Sequence, residues 1–67
     1  MSDQYQPHER RVLDESKDLL SRLGKLRVFI AGDAFEELAC EDRALLMQQE
    51  MCMQNLLTVL QRRIERF

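Results

Sequence analysis

The sequence predicts an all-α fold in which a long N-terminal helix and a long C-terminal helix pack antiparallel through a short connecting helix or turn. Apolar residues recur at three- and four-residue spacings in both halves of the 67-residue chain, which is typical of amphipathic helices. The pair Gly32-Asp33 interrupts this periodicity. No stretch alternates as a half-buried strand does. A chain of this length has room for one core, so residues 1–67 are predicted to form a single helical domain.

The first helix is predicted over about residues 7–31. Pro7 suits the first helical position, where its missing N–H costs nothing. Residues 1–6 are polar and are predicted to form a flexible arm. The apolar stripe of this helix consists of Val12, Leu19, Leu23, Leu26 and Ile30, widened by Leu13, Leu20 and Phe29.

The segment between the two long helices carries signals for ending one helix and starting another. Gly32 can take the left-handed conformation that closes many helices. Asp33 is a natural N-cap, and Glu36 three residues later completes a capping-box pattern. We therefore predict a short helix or single turn over residues 33–39, held in place by Phe35 and Leu38.

The last helix, predicted over about residues 41–66, has two adjacent apolar stripes. Its first turn is acidic, as the helix dipole favours, but only Ala39 or Cys40 could cap it. One stripe consists of Leu46, Met53, Leu57, Leu60, Ile64 and Phe67, and the other of Leu45, Met47, Cys52, Leu56 and Val59. One antiparallel helix cannot cover both stripes, so the chain is predicted to assemble into a homo-oligomer.

Composition argues against several classes of protein. The net charge is −2, from 10 basic and 12 acidic residues that are intermixed, which argues against binding a DNA or RNA duplex. No apolar run approaches the ~20 residues of a membrane span, and the N-terminus lacks the apolar core of a signal peptide. The two cysteines, Cys40 and Cys52, are too few for a disulfide scaffold, and a single histidine is too few for a zinc site. These features predict a reducing cytosol.

Catalysis is not expected. The possible nucleophiles would all have to share His8 near the chain terminus, and neither glycine belongs to a phosphate-binding loop. Adjacent acids such as Glu36-Glu37 face different ways on a helix and are interpreted as solvated surface. The methionines fit an apolar helix face better than copper or haem ligation. We therefore expect no catalytic residue, no metal and no cofactor.

The cations of the first helix are harder to explain. Arginines near the C-terminus of the last helix complement its dipole, whereas Arg10 and Arg11 lie at the positive end of the first helix. Lys25 follows Gly24, a residue that costs on the order of 1 kcal/mol within a helix. A missing side chain there lets a backbone or a ligand come close, and two copies related by a two-fold axis would present paired lysines to a small dianion.

Three segments, HERRVLDESKDLLSRLGKLRVFI, an F-x-x-L turn and EDRALLMQQEMCMQNLLTVLQRRI, carry a resemblance to a known family. Their order and spacing, from about His8 to Ile64, resemble the small phage proteins that counter the cyclic-oligonucleotide-based antiphage signalling system. The resemblance implies an all-helical homohexamer. It also implies a sponge that binds cyclic dinucleotides such as cyclic GMP-AMP between protomers, and cyclic trinucleotides in a separate pocket, without cleaving either.

The resemblance also implies site residues. Lys25 of the K-L-x-x-F-I segment falls on the family's phosphate-binding lysine, and Arg27 falls on a polar position beside it. The family's stacking aromatic falls on Arg10, which is a departure. Either the guanidinium plane of Arg10 stacks on a base, or Tyr5 supplies the ring from the N-terminal arm. For the cyclic trinucleotide the best matches are Arg11 and Arg63.

Three functional interpretations follow. The first is a non-enzymatic sponge that blocks antiphage signalling in the cytoplasm of the infected bacterial host. The second is a structural or adaptor oligomer whose apolar faces bind a protein partner. The third is a regulator that binds nucleic acid, which the acidic balance disfavours.

Overall fold

A computed structural model describes residues 4–67, which form three helices: α1 (Pro7–Ile30), α2 (Asp33–Glu36) and α3 (Cys40–Glu65). Helices α1 and α3 pack antiparallel, and α2 lies in the connection. No strand occurs among the described residues. The all-α prediction is confirmed, and both long helices end within one residue of the predicted bounds. Part of the arm predicted over residues 1–6 lies outside the described residues.

The start of α1 is capped by a feature that the sequence analysis did not use. Gln6 is the N-cap and has an extended backbone, and its N–H donates a hydrogen bond to Glu9 Oε1 at 3.0 Å. Pro7 takes the first helical position, as predicted. The carboxylate of Glu9 thus satisfies a backbone donor and also lies in the first turn, where the helix dipole favours an anion.

The connection between α1 and α2 differs from the prediction in two details. Gly32 has φ −96° and is the extended N-cap of α2, so it is not a left-handed helix terminator. Asp33 is the first residue of α2 and makes no capping hydrogen bond. The reason is that the end of α1 is closed by right-handed turns, in which the N–H groups of Ala31 and Gly32 donate to Arg27 O and Phe29 O. The chain therefore enters α2 without a left-handed residue.

The rest of the connection agrees with the prediction, except that α2 ends at Glu36, three residues before the predicted end. Phe35 is buried, its ring meets Phe29 edge-on at 6.4 Å between centroids, and Leu38 is partly buried. Helix α3 begins after Ala39, which has no side chain that could cap it, and Glu41 and Asp42 form its acidic first turn. Neither long helix of the described chain has an apolar stretch that could span a lipid bilayer.

The core is a single row of apolar contacts between α1 and α3. It consists of Val12, Leu19, Leu23, Leu57 and Leu60, with Met53 and Ile64 packed against it. The molecule measures 48 × 21 × 14 Å, and its smallest dimension is close to the 10–12 Å diameter of one helix. It is therefore a layer one helix thick. Each long helix covers one face of the other, and the second predicted stripe of α3 is left exposed.

Candidate functional site

Lys25 and Gly24 lie on the exposed surface of α1, near the end that connects to α2. A Cβ built on Gly24 would meet no atom within 4 Å. The packing of the protomer therefore does not require glycine at this position. Within residues 4–67, Lys25 makes no ion pair and is available to an external anion.

Arg27 points toward α3 and already has two acceptors there. Its Nε donates to Glu50 Oε2 at 2.8 Å, and an Nη donates to Gln54 Oε1 at 2.6 Å. Lys25 precedes Arg27 by two residues, which is about 200° around a helix, so the two side chains leave α1 on opposite sides. The structure does not bring Lys25 and Arg27 together within one protomer.

The partners of Arg27 belong to a row of polar residues that the sequence analysis missed. We call Glu50, Gln54 and Thr58 the α3 polar ladder. Gln54 Nε2 lies 3.2 Å from Thr58 Oγ1, which in turn lies 3.0 Å from Gln54 O. The signal was present in the sequence, because polar residues four apart beside a buried apolar stripe face the neighbouring helix at its edge. The ladder fixes the guanidinium of Arg27 against α3.

The other predicted site residues lie at the opposite end of the molecule, where α1 begins and α3 ends. Arg10 pairs with Asp14, with Nε 3.7 Å from Oδ1, and both side chains are mostly exposed. Tyr5 meets Phe67 edge-on, with ring centroids 6.1 Å apart. Arg11 and Arg63 are exposed at the same end.

The predicted dinucleotide residues are thus divided between two ends. Fifteen residues of helix separate Arg10 from Lys25, which corresponds to about 22 Å along α1. This separation of the two helix positions favours a site in which the two residues come from different copies of the chain.

A family model described as Sequestin matches residues 6–66. The chain belongs to the Sequestin family. The match includes all three helices and every predicted site residue except Tyr5. Membership indicates a sequestering role, in which a small ligand is bound and held. No curated protein and no solved structure gives a significant match.

This Sequestin-family chain has few other features of chemical interest. An open depression beside the end of α3 is lined by Thr58, Gln61, Arg62, Glu65 and Arg66. Cys40 and Cys52 are free and exposed. Within residues 4–67, no three His, Cys, Asp or Glu side chains cluster as metal ligands would.

Proposed function

We propose that this chain is a non-enzymatic sponge for cyclic oligonucleotide second messengers. It binds cyclic dinucleotides such as cyclic GMP-AMP, and cyclic trinucleotides at a separate site, and so blocks antiphage immune signalling in the cytoplasm of the infected bacterial host. Membership of the Sequestin family supports a sequestering role. The resemblance of the K-L-x-x-F-I segment to the phage proteins supports the choice of ligand.

The observation that carries this proposal is the exposed pair Gly24-Lys25. The glycine weakens α1 and has no role in the packing of the protomer, since a Cβ would meet nothing there. The protomer does not require this glycine, and within residues 4–67 the neighbouring lysine has no ion-pair partner. Together these two features favour an external contact in which a phosphate approaches the helix closely. A lysine–phosphate contact of this kind is charge-assisted and stronger than a neutral hydrogen bond.

The remaining residues are assigned by position. Arg10 or Tyr5 stacks on a base, Lys25 binds phosphate and Arg27 lies beside it, while Arg11 and Arg63 bind the cyclic trinucleotide. Because about 22 Å separates Arg10 from Lys25, we propose that the dinucleotide site lies between protomers of a homohexamer. Sequestration without turnover requires as many sites as signal molecules, and a small chain with several sites per assembly meets that requirement.

Isothermal titration calorimetry with cyclic GMP-AMP tests the proposal. We expect saturable binding, and we expect the nucleotide to be recovered intact after the protein is denatured by heat. Absence of heat at high ligand concentration would contradict the sponge. Linearised nucleotide above a buffer control would contradict the absence of catalysis.

The adaptor is the second candidate, because Leu45, Met51 and Val59 are each more than half exposed on α3. It predicts no binding of the nucleotide in the same titration. Salt-dependent retention of a DNA duplex would instead support the nucleic-acid regulator.

A further inference from the structure

The second apolar stripe of α3 continues into polar residues at a regular spacing. Four residues of this stripe, together with Gln49 and Arg63, form what we call the α3 seam: Leu45, Gln49, Cys52, Leu56, Val59 and Arg63. They are spaced alternately four and three apart, which is the heptad pattern of a helix that packs along a second helix. Leu45 is 62% exposed and Val59 53% exposed. Nothing in the described chain covers this surface.

The position of the seam explains why α1 cannot cover it. Leu56 and Val59 directly precede the buried residues Leu57 and Leu60, and Cys52 directly precedes the partly buried Met53. One residue is about 100° around a helix, so the seam lies beside the α1 contact. No helix within residues 4–67 covers the seam, and we therefore consider a helix from a second copy of the chain.

The charges at the two ends of α3 determine the direction of that helix. Its first turn carries Glu41 and Asp42, and its last turn carries Arg62 and Arg63. Within residues 4–67 none of these four makes an ion pair. An antiparallel copy of α3 places acids opposite arginines, whereas a parallel copy places like charges together, which is unfavourable.

One antiparallel register matches Leu45 with Val59 and the charged helix ends together, with Leu56 facing Gln48. If Cys52 faces its own copy across a two-fold axis, Leu45 faces Val59, Glu41 faces Arg63 and Asp42 faces Arg62. The neighbouring registers set Leu45 opposite Arg63, or Val59 opposite Asp42. The first pairs Asp42 with Arg66 but sets an arginine on Leu45, and the second pairs Leu45 with Leu56 but leaves the charged helix ends without opposite partners, so neither keeps both matches.

We propose that the α3 seam is an antiparallel interface with a second copy of this chain, centred on Cys52 of both copies. Packed helices lie 8–10 Å apart and their Cα atoms lie about 2.3 Å from each axis, so the facing Cα atoms are about 3.4–5.4 Å apart. The upper part of this range overlaps the roughly 4.4–6.8 Å between the Cα atoms of a disulfide. The proposal is independent of the nucleotide ligand.

Disulfide trapping tests it. Cys40→Ser leaves Cys52 as the only thiol, and mild oxidation with diamide removes two electrons from two thiols to form one disulfide. We expect a covalent dimer of about twice the 8.0 kDa chain mass that is reversed by reductant. Adding Cys52→Ser must abolish it.

A matched control locates the register. In a Cys40→Ser, Cys52→Ser background, Leu56→Cys places the only thiols on the same seam, but eight residues apart along the interface, or about 12 Å. We expect this variant to form at least tenfold less covalent dimer at the same oxidation time. Equal or greater cross-linking at position 56, or none at Cys52, overturns the proposal.

Charge reversal provides a second readout that needs no cysteine chemistry. Arg63→Glu should slow trapping through Cys52, and adding Glu41→Arg should restore it, with helix content checked by circular dichroism. Failure of the double reversal to restore trapping overturns the antiparallel register. Calorimetry with cyclic GMP-AMP on the same proteins distinguishes failure of the seam from failure of the sponge, because a protein can bind nucleotide without this interface.

Discussion

Gly24 and Lys25 are adjacent residues with different relations to the fold. Gly24 lies within α1, and a methyl group at this position would not clash with any neighbouring atom. Lys25 is exposed and, within the described chain, has no acidic partner. The protomer alone therefore accounts for neither residue, and substitutions at the two positions test whether an external ligand does.

Gly24→Ala is expected to separate stability from binding. The added methyl group should stabilise the helix by about 1 kcal/mol, because alanine is a better helix former than glycine. If a phosphate or a chain approaches this surface, the same methyl group should weaken dinucleotide binding. Chemical denaturation and calorimetry on one preparation measure both effects, and a variant that is stabilised with unchanged affinity contradicts the close approach.

Lys25→Ala is expected to weaken dinucleotide binding by about two orders of magnitude or more. The substitution removes a charge-assisted contact worth roughly 1.5–3 kcal/mol, and it does so twice in a symmetric pocket. Stability should change little, since an exposed lysine contributes little to folding.

The control for Lys25→Ala is Lys17→Ala, an exposed lysine in the same helix. Calorimetry of both variants measures the difference. Equal effects, or none, would mean that Lys25 is an ordinary surface cation.

At the scale of the elements, Arg27 joins α1 to the α3 polar ladder across the edge of the core. Its side chain is 47% exposed and that of Glu50 is 26% exposed, so water weakens the ion pair. This contact orders the guanidinium of Arg27 within the protomer. Separate substitutions of Arg27 and Glu50 can distinguish the structural role of Arg27 from its proposed role in binding a nucleotide.

Arg27→Ala and Glu50→Ala should have similar effects on folding and different effects on binding. Each should lower the free energy of unfolding by no more than about 1 kcal/mol, because the pair is partly exposed. Only Arg27→Ala should weaken dinucleotide binding, because Glu50→Ala leaves the cation in place. Equal affinities for the two variants would assign Arg27 to the fold alone.

The whole molecule is a two-helix layer with apolar surface on both long helices. Among its exposed large apolar side chains are Leu20, Val28, Leu45, Met51 and Val59. Small chains of this kind gain stability by associating, since the contact between two helices buries little apolar surface. If Arg10 and Lys25 bind one dinucleotide, as proposed, the distance between them adds a functional reason for association.

We expect sedimentation to show a homo-oligomer, with a mass near that of six chains of 8.0 kDa each. Burial of the apolar faces supplies the driving force. The measurement is made at micromolar protein concentration with reductant, so that no disulfide contributes. A single 8.0 kDa species under these conditions would contradict the assembly.

Local features of the sequence were enough to predict the helices. The bounds of α1 and α3, the weak cap at Ala39 and the buried stripe with Leu23 and Leu57 follow from periodicity and from end signals within a few neighbouring residues. Such signals act over one or two turns, so they can be recognised without knowing the partner helix.

Contacts between distant residues required the tertiary structure. Arg27 meets Glu50 and Gln54 only because α1 and α3 run antiparallel at one particular register, and that register also decides that Lys25 faces away. The conformation of Gly32 depended on how α1 meets α2, since Ala31 and Gly32 complete the end of α1 before α2 starts. Residue type and spacing indicated which side chains could bind an anion. The helical structure places Arg10 and Lys25 far apart within one protomer, because helical rise converts 15 residues into about 22 Å.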